Sequence, residues 1–497
     1  MMSRTTEISN AGTTAVDRIS ECPESVLVHV LSLLPIEDAV KTGVLSKRWQ
    51  FLWTFLPSLD FRSSVLIADY DSDDEDTLVA AKTGFATFVD KTLFFSKLSK
   101  LKKFGVSLEY EPYLASKVNT WTRFAVGKEV EELHLGFYHG IGAYELPQLL
   151  YDNSCFIKLQ FLYCKVIPKG NVAWGSLKNL TIGYVLLTND AIERILAGSP
   201  VLEILKLVQC PGFSRLAVTN SCVKKVILDF PYPWASDGVD YVLEISAPYP
   251  LSVEITGFLI GNFSGRIARG CRFMNASSLV DAVFNFARIL DEAWANDYER
   301  IQNIVGGILA SLRHVKNLTL GTWVLEALSI MGAKGSSSSF LNCKCLTLDT
   351  QIDNKNNEYV FPGIASMLQK TSNLETLIVN LSFGPFCLAE CYGMTLAELC
   401  NYNEQNYWTS QKWSYKCLTL HLKNVTFTGS VSMTECYDSN DTSFCSFMQF
   451  LLWNARVLQK MVIRKPSDNQ LKEYFFNAVQ KLLSYPRSSP DAAVIFR

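Results

Sequence analysis

Five histidines are the first candidates for proton transfer or metal binding: His29, His134, His139, His314 and His421. None belongs to an HExxH pair, and the chain contains no GxSxG, Walker A or GxGxxG stretch. Enzyme classes whose mechanisms need those spacings lose support. His134 and His421 fall inside short apolar strand patterns and read as structural residues, whereas His29 lies beside the apolar face of a helix and should face solvent. Cys343 and Cys345 form a lone C-x-C, and Cys387 and Cys391 are a pair of undistinctive spacing. A structural zinc site needs four ligands, usually from two spaced pairs. No catalytic, cofactor-binding or metal-binding residue is assigned, and no cofactor is expected. What remains is recognition chemistry. CNYNEQNYWTSQKWSY at 400–415 mixes Tyr402, Tyr407, Trp408, Trp413 and Tyr415 with amides. Such side chains bring large contact area at low entropy cost, so Tyr407, Trp408 and Trp413 are candidates for contact with a target protein. The alternative is that these aromatics fold onto the edge of a neighbouring core. PYPWASDG at 231–238 is a second candidate loop.

The elements that would position a recognition surface begin at Asp17. The stretch to Phe61 reads DRISECPESVLVHVLSLLPIEDAVKTGVLSKRWQFLWTFLPSLDF. Pro23 suits a first helical turn, where a missing N–H costs nothing. Val26, Leu27, Val30, Leu31 and Leu34 then recur at three- and four-residue steps and share one face. Pro35 should end this helix. A second helix is expected from Glu37 to about Gly43, since an acidic residue suits a helix start and glycine a helix end. Ser46 can cap a third, with Trp49, Leu52, Trp53 and Leu56 as its stripe. About forty residues rarely build a sufficient core alone. The apolar surface of this stretch must be shared with the rest of the chain, with a partner, or with both.

The residue order here resembles the F-box family. The resemblance is carried by DRIS at 17–20, Pro23, Glu24, Leu27, Leu31, LLP at 33–35, AV at 39–40, LSKRW at 45–49, Trp53 and LPSLDF at 56–61. Cys22 stands where the family commonly has leucine, and Gly43 where a small polar residue is usual. The resemblance implies a three-helix module that binds a Skp1-type adaptor and, through it, a cullin of a ubiquitin ligase. The residues it would use are Pro23, Val26, Leu27, Val30, Leu31, Leu34, Pro35, Val40, Val44, Leu45 and Trp49.

Composition bounds the rest. With 497 residues, 48% hydrophobic and 19% charged, the chain can bury large cores over roughly two to four domains. A net charge of −2 offers no basic footprint for nucleic acid and no electrostatic attachment to a membrane. No run of eighteen apolar residues calls for a membrane span. The first residues, MMSRTTEISNAGTTAV, lack the apolar run of a signal peptide and are not Arg-rich. Residues 1–16 are expected to be disordered. Fourteen scattered cysteines without a leader fit reduced thiols in the cytoplasm or nucleus.

After the opening module, an acidic run, ADYDSDDED at 68–76, precedes a helix with Leu78, Ala81, Phe85, Phe88 and Val89 on one face. Beyond about residue 100 one register recurs. Leu196 leads Leu202 by six residues, followed by Leu205 and Leu207. The same offsets hold for Leu309, Val315, Leu318 and Leu320; for Leu368, Leu374, Leu377 and Val379; for Leu452, Leu458, Met461 and Ile463; and for Phe124, Val130, Leu133 and Leu135. Glu131, Glu203 and Glu375 follow the middle apolar residue. Each copy reads as helix end, turn and short strand, and such units bury their apolar side only by stacking. Weaker strand copies lie at 177–182, 223–228, 344–348 and 416–420, while helices are expected near 278–293 and 297–311. The register resembles the irregular leucine-rich-repeat solenoid of F-box proteins, and 413–497 resembles their FBD module. The expected order is a disordered 1–16, an F-box at 17–61, an acidic loop and linking helix at 62–100, irregular repeats at 101–412 and the FBD-like cap at 413–497. The fold class is a helical F-box followed by an α/β repeat. The function implied is a non-catalytic receptor subunit of a ubiquitin ligase. A repeat scaffold outside any ligase, or an enzyme without a recognisable motif, are the alternatives. The compartment argument is testable: quantitative alkylation of the denatured native protein should find the cysteines as free thiols, without stable intramolecular disulfides.

Overall fold

The computed structural model describes residue 19 and residues 22–63, 75–138, 143–230, 241–260, 269–288, 298–333, 341–350, 357–381, 407–410, 415–429, 443–464 and 482–497. The N-terminal residues 1–16 and most of the acidic run lie outside the described residues. The chain folds as two units, Met1–Tyr144 and Glu145–Arg497.

The first unit opens with α1 (Glu24–Leu31) and α2 (Ile36–Lys41). A proline precedes each: Pro23 with φ −57° and Pro35 with φ −54°. Pro35 therefore starts the second helix rather than terminating the first, whose last residue is Leu31. Its fixed φ is set for helix entry, and its missing N–H would be unpaired there anyway. The expected third α-helix is not formed. Its place is taken by turns and a 3-10 stretch, Leu52–Phe55. Two side chains take up local carbonyls: Thr54 Oγ1 donates to Phe51 O at 2.6 Å and Trp53 Nε1 to Gln50 O at 3.1 Å. Local bonds of this kind compete with the α-helical ladder. The apolar stripe is nonetheless buried as expected, with Trp49, Leu52, Trp53 and Leu56 all inside.

Strand β1 (Ser58–Arg62) pairs in parallel with β2 (Lys103–Glu109), and β2 with β3 (Glu132–Tyr138). Parallel pairing needs crossovers, supplied by α3 (Glu75–Phe95) and α4 (Ala115–Gly127). Phe61 meets Phe88 and Phe104 edge-on at 6.0 and 6.1 Å. The buried face of α3 runs through Lys82, Ala86, Val89 and Leu93, rotated from the expected Ala81 and Phe85. The apolar pattern could not reveal Lys82, whose amine lies 3.0 Å from Glu109 and 3.2 Å from Glu111. Burial alone would lower its pKa, but the two carboxylates outweigh that and raise it.

In the second unit the strands run parallel and in chain order, from Lys158–Leu162, Asn179–Gly183, Ile204–Val208 and Lys225–Phe230 to Ala493–Phe496. One register row joins Leu159, Leu180, Leu205, Val226, Val253, Ala282, Leu318, Leu346, Leu377, Val425 and Met461. All of these are buried. Leu205, Leu318, Leu377 and Met461, aligned by sequence offset alone, thus occupy equivalent places. A smaller parallel sheet joins Arg215–Ala217, Tyr241–Ser246 and Arg269–Asn275.

Two expected elements differ. The helix expected near 278–293 is not formed by its described residues: Asp281–Arg288 is a strand between Ser252–Ile260 and Asn317–Gly321. Its buried residues, Ala282, Phe284 and Phe286, alternate at the strand period. KCLTL at 416–420 is a helix, Lys416–Leu420, and the strand follows at Asn424–Gly429. His421 accordingly sits at that helix's end, not within a strand.

The helix Thr322–Ala333 packs against the helix Asn357–Lys370 tightly at Gly363, where a Cβ would meet the Leu325 carbonyl oxygen at 2.1 Å. Backbone cannot yield as a side-chain end can. Gly363→Ala should therefore destabilise the second unit by about 1–3 kcal/mol, read as a lower denaturant midpoint than that of the parent protein.

Candidate functional site

The described residues hold little arranged for catalysis or metal binding. Among them no three His, Cys, Asp or Glu side chains are placed to share a metal ion. No described helix is long and apolar enough to cross a membrane. His134 Nε2 lies 2.9 Å from Ser107 Oγ within β2 and β3. Burial pushes the thiols of Cys210, Cys271, Cys343 and Cys417 up to about 12. At neutral pH they are held as thiols, and the thiolate is the nucleophile. Burial lowers the Lys370 amine to about 8; it donates to Ser366 Oγ at 2.9 Å.

The larger feature is a surface on the first two helices. An α-helix turns about 100° per residue, so a stripe at 26, 27, 30, 31 and 34 spans two neighbouring directions. The fold divides that stripe. Leu27 and Leu31 turn inward, joined by Ile36 and Ala39 of α2, and α1 packs on the Leu52–Phe55 stretch. Val26 and Val30 turn outward, as do Leu33 and Leu34 in the connecting turn. Beyond α2, Val44 and Leu45 are 88% and 66% exposed.

Of the residues named from sequence, Pro23, Val26, Val30, Leu34, Pro35, Val44 and Leu45 are exposed, and Val40 is half-buried. Leu27, Leu31 and Trp49 are buried in the module itself. They hold the fold and are not available as docking anchors. Sequence reasoning omitted Leu33 from the site, although it is 74% exposed; the LLP run at 33–35 carried that signal.

The surroundings of this face are polar and tied down. Arg48 Nη2 donates to the Cys22 carbonyl, fastening the start of α1. Lys41 pairs with Asp38 at 2.9 Å, and that hydrogen bond holds the amine above its usual range. Gly43 lies against Gln50, whose oxygen would be 3.3 Å from an added Cβ. Both departures from the family pattern thus fall where the module closes on itself. His29 is exposed, as expected.

The second candidate resolves differently. Trp408 is only 4% exposed. Its ring lies 4.7 Å from those of Phe447 and Phe450 and 5.4 Å from that of Phe361. It is a core residue and cannot be offered to a target. Tyr407 is half-buried beside it at 5.2 Å. Trp413 and the loop at 231–238 lie outside the described residues.

A helical module with an outward apolar face, then parallel strands bringing one apolar row to a shared core, defines an F-box protein with leucine-rich repeats. Comparison with known proteins agrees. The F-box domain model matches residues 19–60, and the model "FBD-associated F-box protein At5g56370, LRR repeats" matches 118–246. "Putative F-box/LRR-repeat protein At5g02930" of Arabidopsis thaliana is 28% identical over 93% of this chain and 90% of its own length. "Putative F-box protein At1g49610" of the same plant is 30% identical over 73% and 84%. "F-box/LRR-repeat protein At5g02910" is 27% identical over 90% and 88%. The chain belongs to the F-box/LRR-repeat family of plant F-box proteins.

Because Trp408 fills a ring cluster, Trp408→Ala should cost about 3–5 kcal/mol of stability. Calorimetry or denaturant unfolding should register that loss.

Proposed function

We propose that this protein is the target-recognition subunit of an SCF-type ubiquitin ligase and performs no chemistry of its own. The observation that carries the reading is the outward apolar face of α1 and of the turns that follow α1 and α2, which the module's own core does not need. Val26, Val30, Leu33, Leu34, Val44 and Leu45 form it, framed by Pro23 and Pro35. Its occupant in this reading is a Skp1-type adaptor, which brings a cullin. The repeats form a solenoid that holds a target protein near the ubiquitin-loaded E2, and catalysis comes from proximity, as effective concentration rises. Work in the cytoplasm or nucleus follows from the same reading. Nucleic acid, membrane and cofactor have no part in it.

Fully burying a valine or leucine is worth about 1.5–3 kcal/mol. Val30→Asp removes such a contact and brings a charge into it, so adaptor affinity should fall by about one to two orders of magnitude. Unfolding should shift by no more than about 0.5 kcal/mol, since the site is on the surface. Leu31→Lys should instead unfold the module. Titration against a Skp1-type adaptor, with unfolding followed in parallel, checks both. Undiminished binding by Val30→Asp would leave a repeat scaffold outside any ligase as the better reading.

A further inference from the structure

Four phenylalanines of the first unit are exposed although two belong to a helix with a well-defined buried face. The inward positions of α3 are Lys82, Ala86, Val89 and Leu93, at steps of four, three and four. Phe94 follows Leu93 by one residue, about 100° around the helix, and is 83% exposed. Phe95, Phe51 and Phe55 are each more than two-fifths exposed. Lys82, Ala86, Val89 and Leu93 already anchor α3, so Phe94 adds nothing to its core, and exposed apolar surface of this kind marks an interaction site.

These rings form one patch despite their separation in sequence. The Lys97 N–H donates to the Thr54 carbonyl at 3.0 Å, tying the end of α3 to the Leu52–Phe55 stretch. Lys97 Nζ lies 5.5 and 5.2 Å from the ring centroids of Phe51 and Phe55. Phe95 packs edge-on against Phe94 at 5.2 Å and Trp53 at 6.2 Å. The patch also adjoins the apolar face of the F-box helices: Gly43, beside the outward Val44, lies against Gln50, the neighbour of Phe51.

We infer that the adaptor's contact extends past α1 and α2 onto this phenylalanine patch, which takes an apolar segment of the adaptor flanked by carboxylates. The inference rests on the adaptor reading above. Lys97 stands over the patch and Lys91 lies one helical turn before Phe94 and Phe95 on α3; neither is in an ion pair with a described residue, so the complementary surface is apolar at its centre and acidic at its edge.

The test uses the full chain and a purified Skp1-type adaptor as probe. Phe94→Ser and Phe51→Ser should each weaken adaptor binding by about tenfold without moving the unfolding midpoint. Raising salt should weaken binding by the parent more than by Lys97→Gln. If Phe94→Ser and Phe51→Ser combined in one chain bind like the parent while Val30→Asp does not, the patch inference is overturned and the adaptor reading stands. Should none of these changes alter binding, both fall. Loss of self-association in Phe94→Ser, with adaptor binding intact, would overturn the inference in favour of a second copy of this chain.

Discussion

One backbone interaction sets the frame for the second unit. The carbonyl just before almost every strand of the main sheet accepts two successive N–H groups from the next repeat. Lys178 O takes the amides of Glu203 and Ile204 at 2.8 and 2.9 Å, and Glu203 O those of Lys224 and Lys225 at 2.8 and 3.1 Å. Lys316, Lys344, Glu375 and Lys423 repeat the arrangement. A shared acceptor fixes where the next strand begins, and every later pair follows in parallel register. A slip of one residue would turn each buried row outward. This is how connecting segments of very different length deliver Leu205, Val226, Val253 and Ala282 to the same row.

The recurring glutamates acquire a meaning from that frame. Glu203 and Glu375 are the residues whose carbonyls do the accepting, so their side chains stand at a strand entrance between lysines of adjacent repeats. Glu203 lies 2.6 Å from Lys224 and 3.8 Å from Lys178. Glu375 lies 2.9 Å from Lys344 and 3.6 Å from Lys423. Hydrogen bonds from Lys224 and Lys344 hold the two carboxyls below their ordinary range. Because the groups are solvent-exposed, these pairs add little stability. The main-chain carbonyl does the fixing, and alternating charge keeps like side chains from facing one another.

The same logic marks what was legible in the sequence. Six-residue offsets between apolar positions survive because they report the distance from a buried helix end to a buried strand, which the packing holds constant. Local identity does not survive. KCLTL is strand at 345–348 and helix at 416–420. In the first copy Lys344 and Cys345 give their amides to Lys316 O; in the second, Cys417 Sγ reaches the Leu368 carbonyl and the strand waits for Lys423 and Asn424. The pentapeptide carries no difference, so its neighbours decide. At 281–288 the apolar pattern satisfied both periods, and the open edges of flanking strands settled it. In the F-box stretch the apolar residues were all visible, but their division between Leu27 and Leu31 inside and Val26 and Val30 outside depends on what α1 packs against. A chain's apolar positions show where surface will be covered, not by what.

That distinction separates the aromatic residues too. Trp408 and Phe94 look alike in sequence, each an aromatic beside another aromatic. Trp408 meets Phe361, Phe447 and Phe450 from two helices, so several neighbours exclude water from it. Phe94 has Phe95 beside it but stands off the buried line of α3 by one residue, and no helix is placed to close over it within the described residues. An aromatic in the first situation contributes its buried area to stability whether or not a partner exists. In the second, the area contributes only when something else supplies the other wall. The surface available for function is therefore the apolar area left over after the repeat register and the Leu27–Leu31 packing have taken what they need. In the first unit that remainder is concentrated on the outer side of α1 and its turns and at the end of α3.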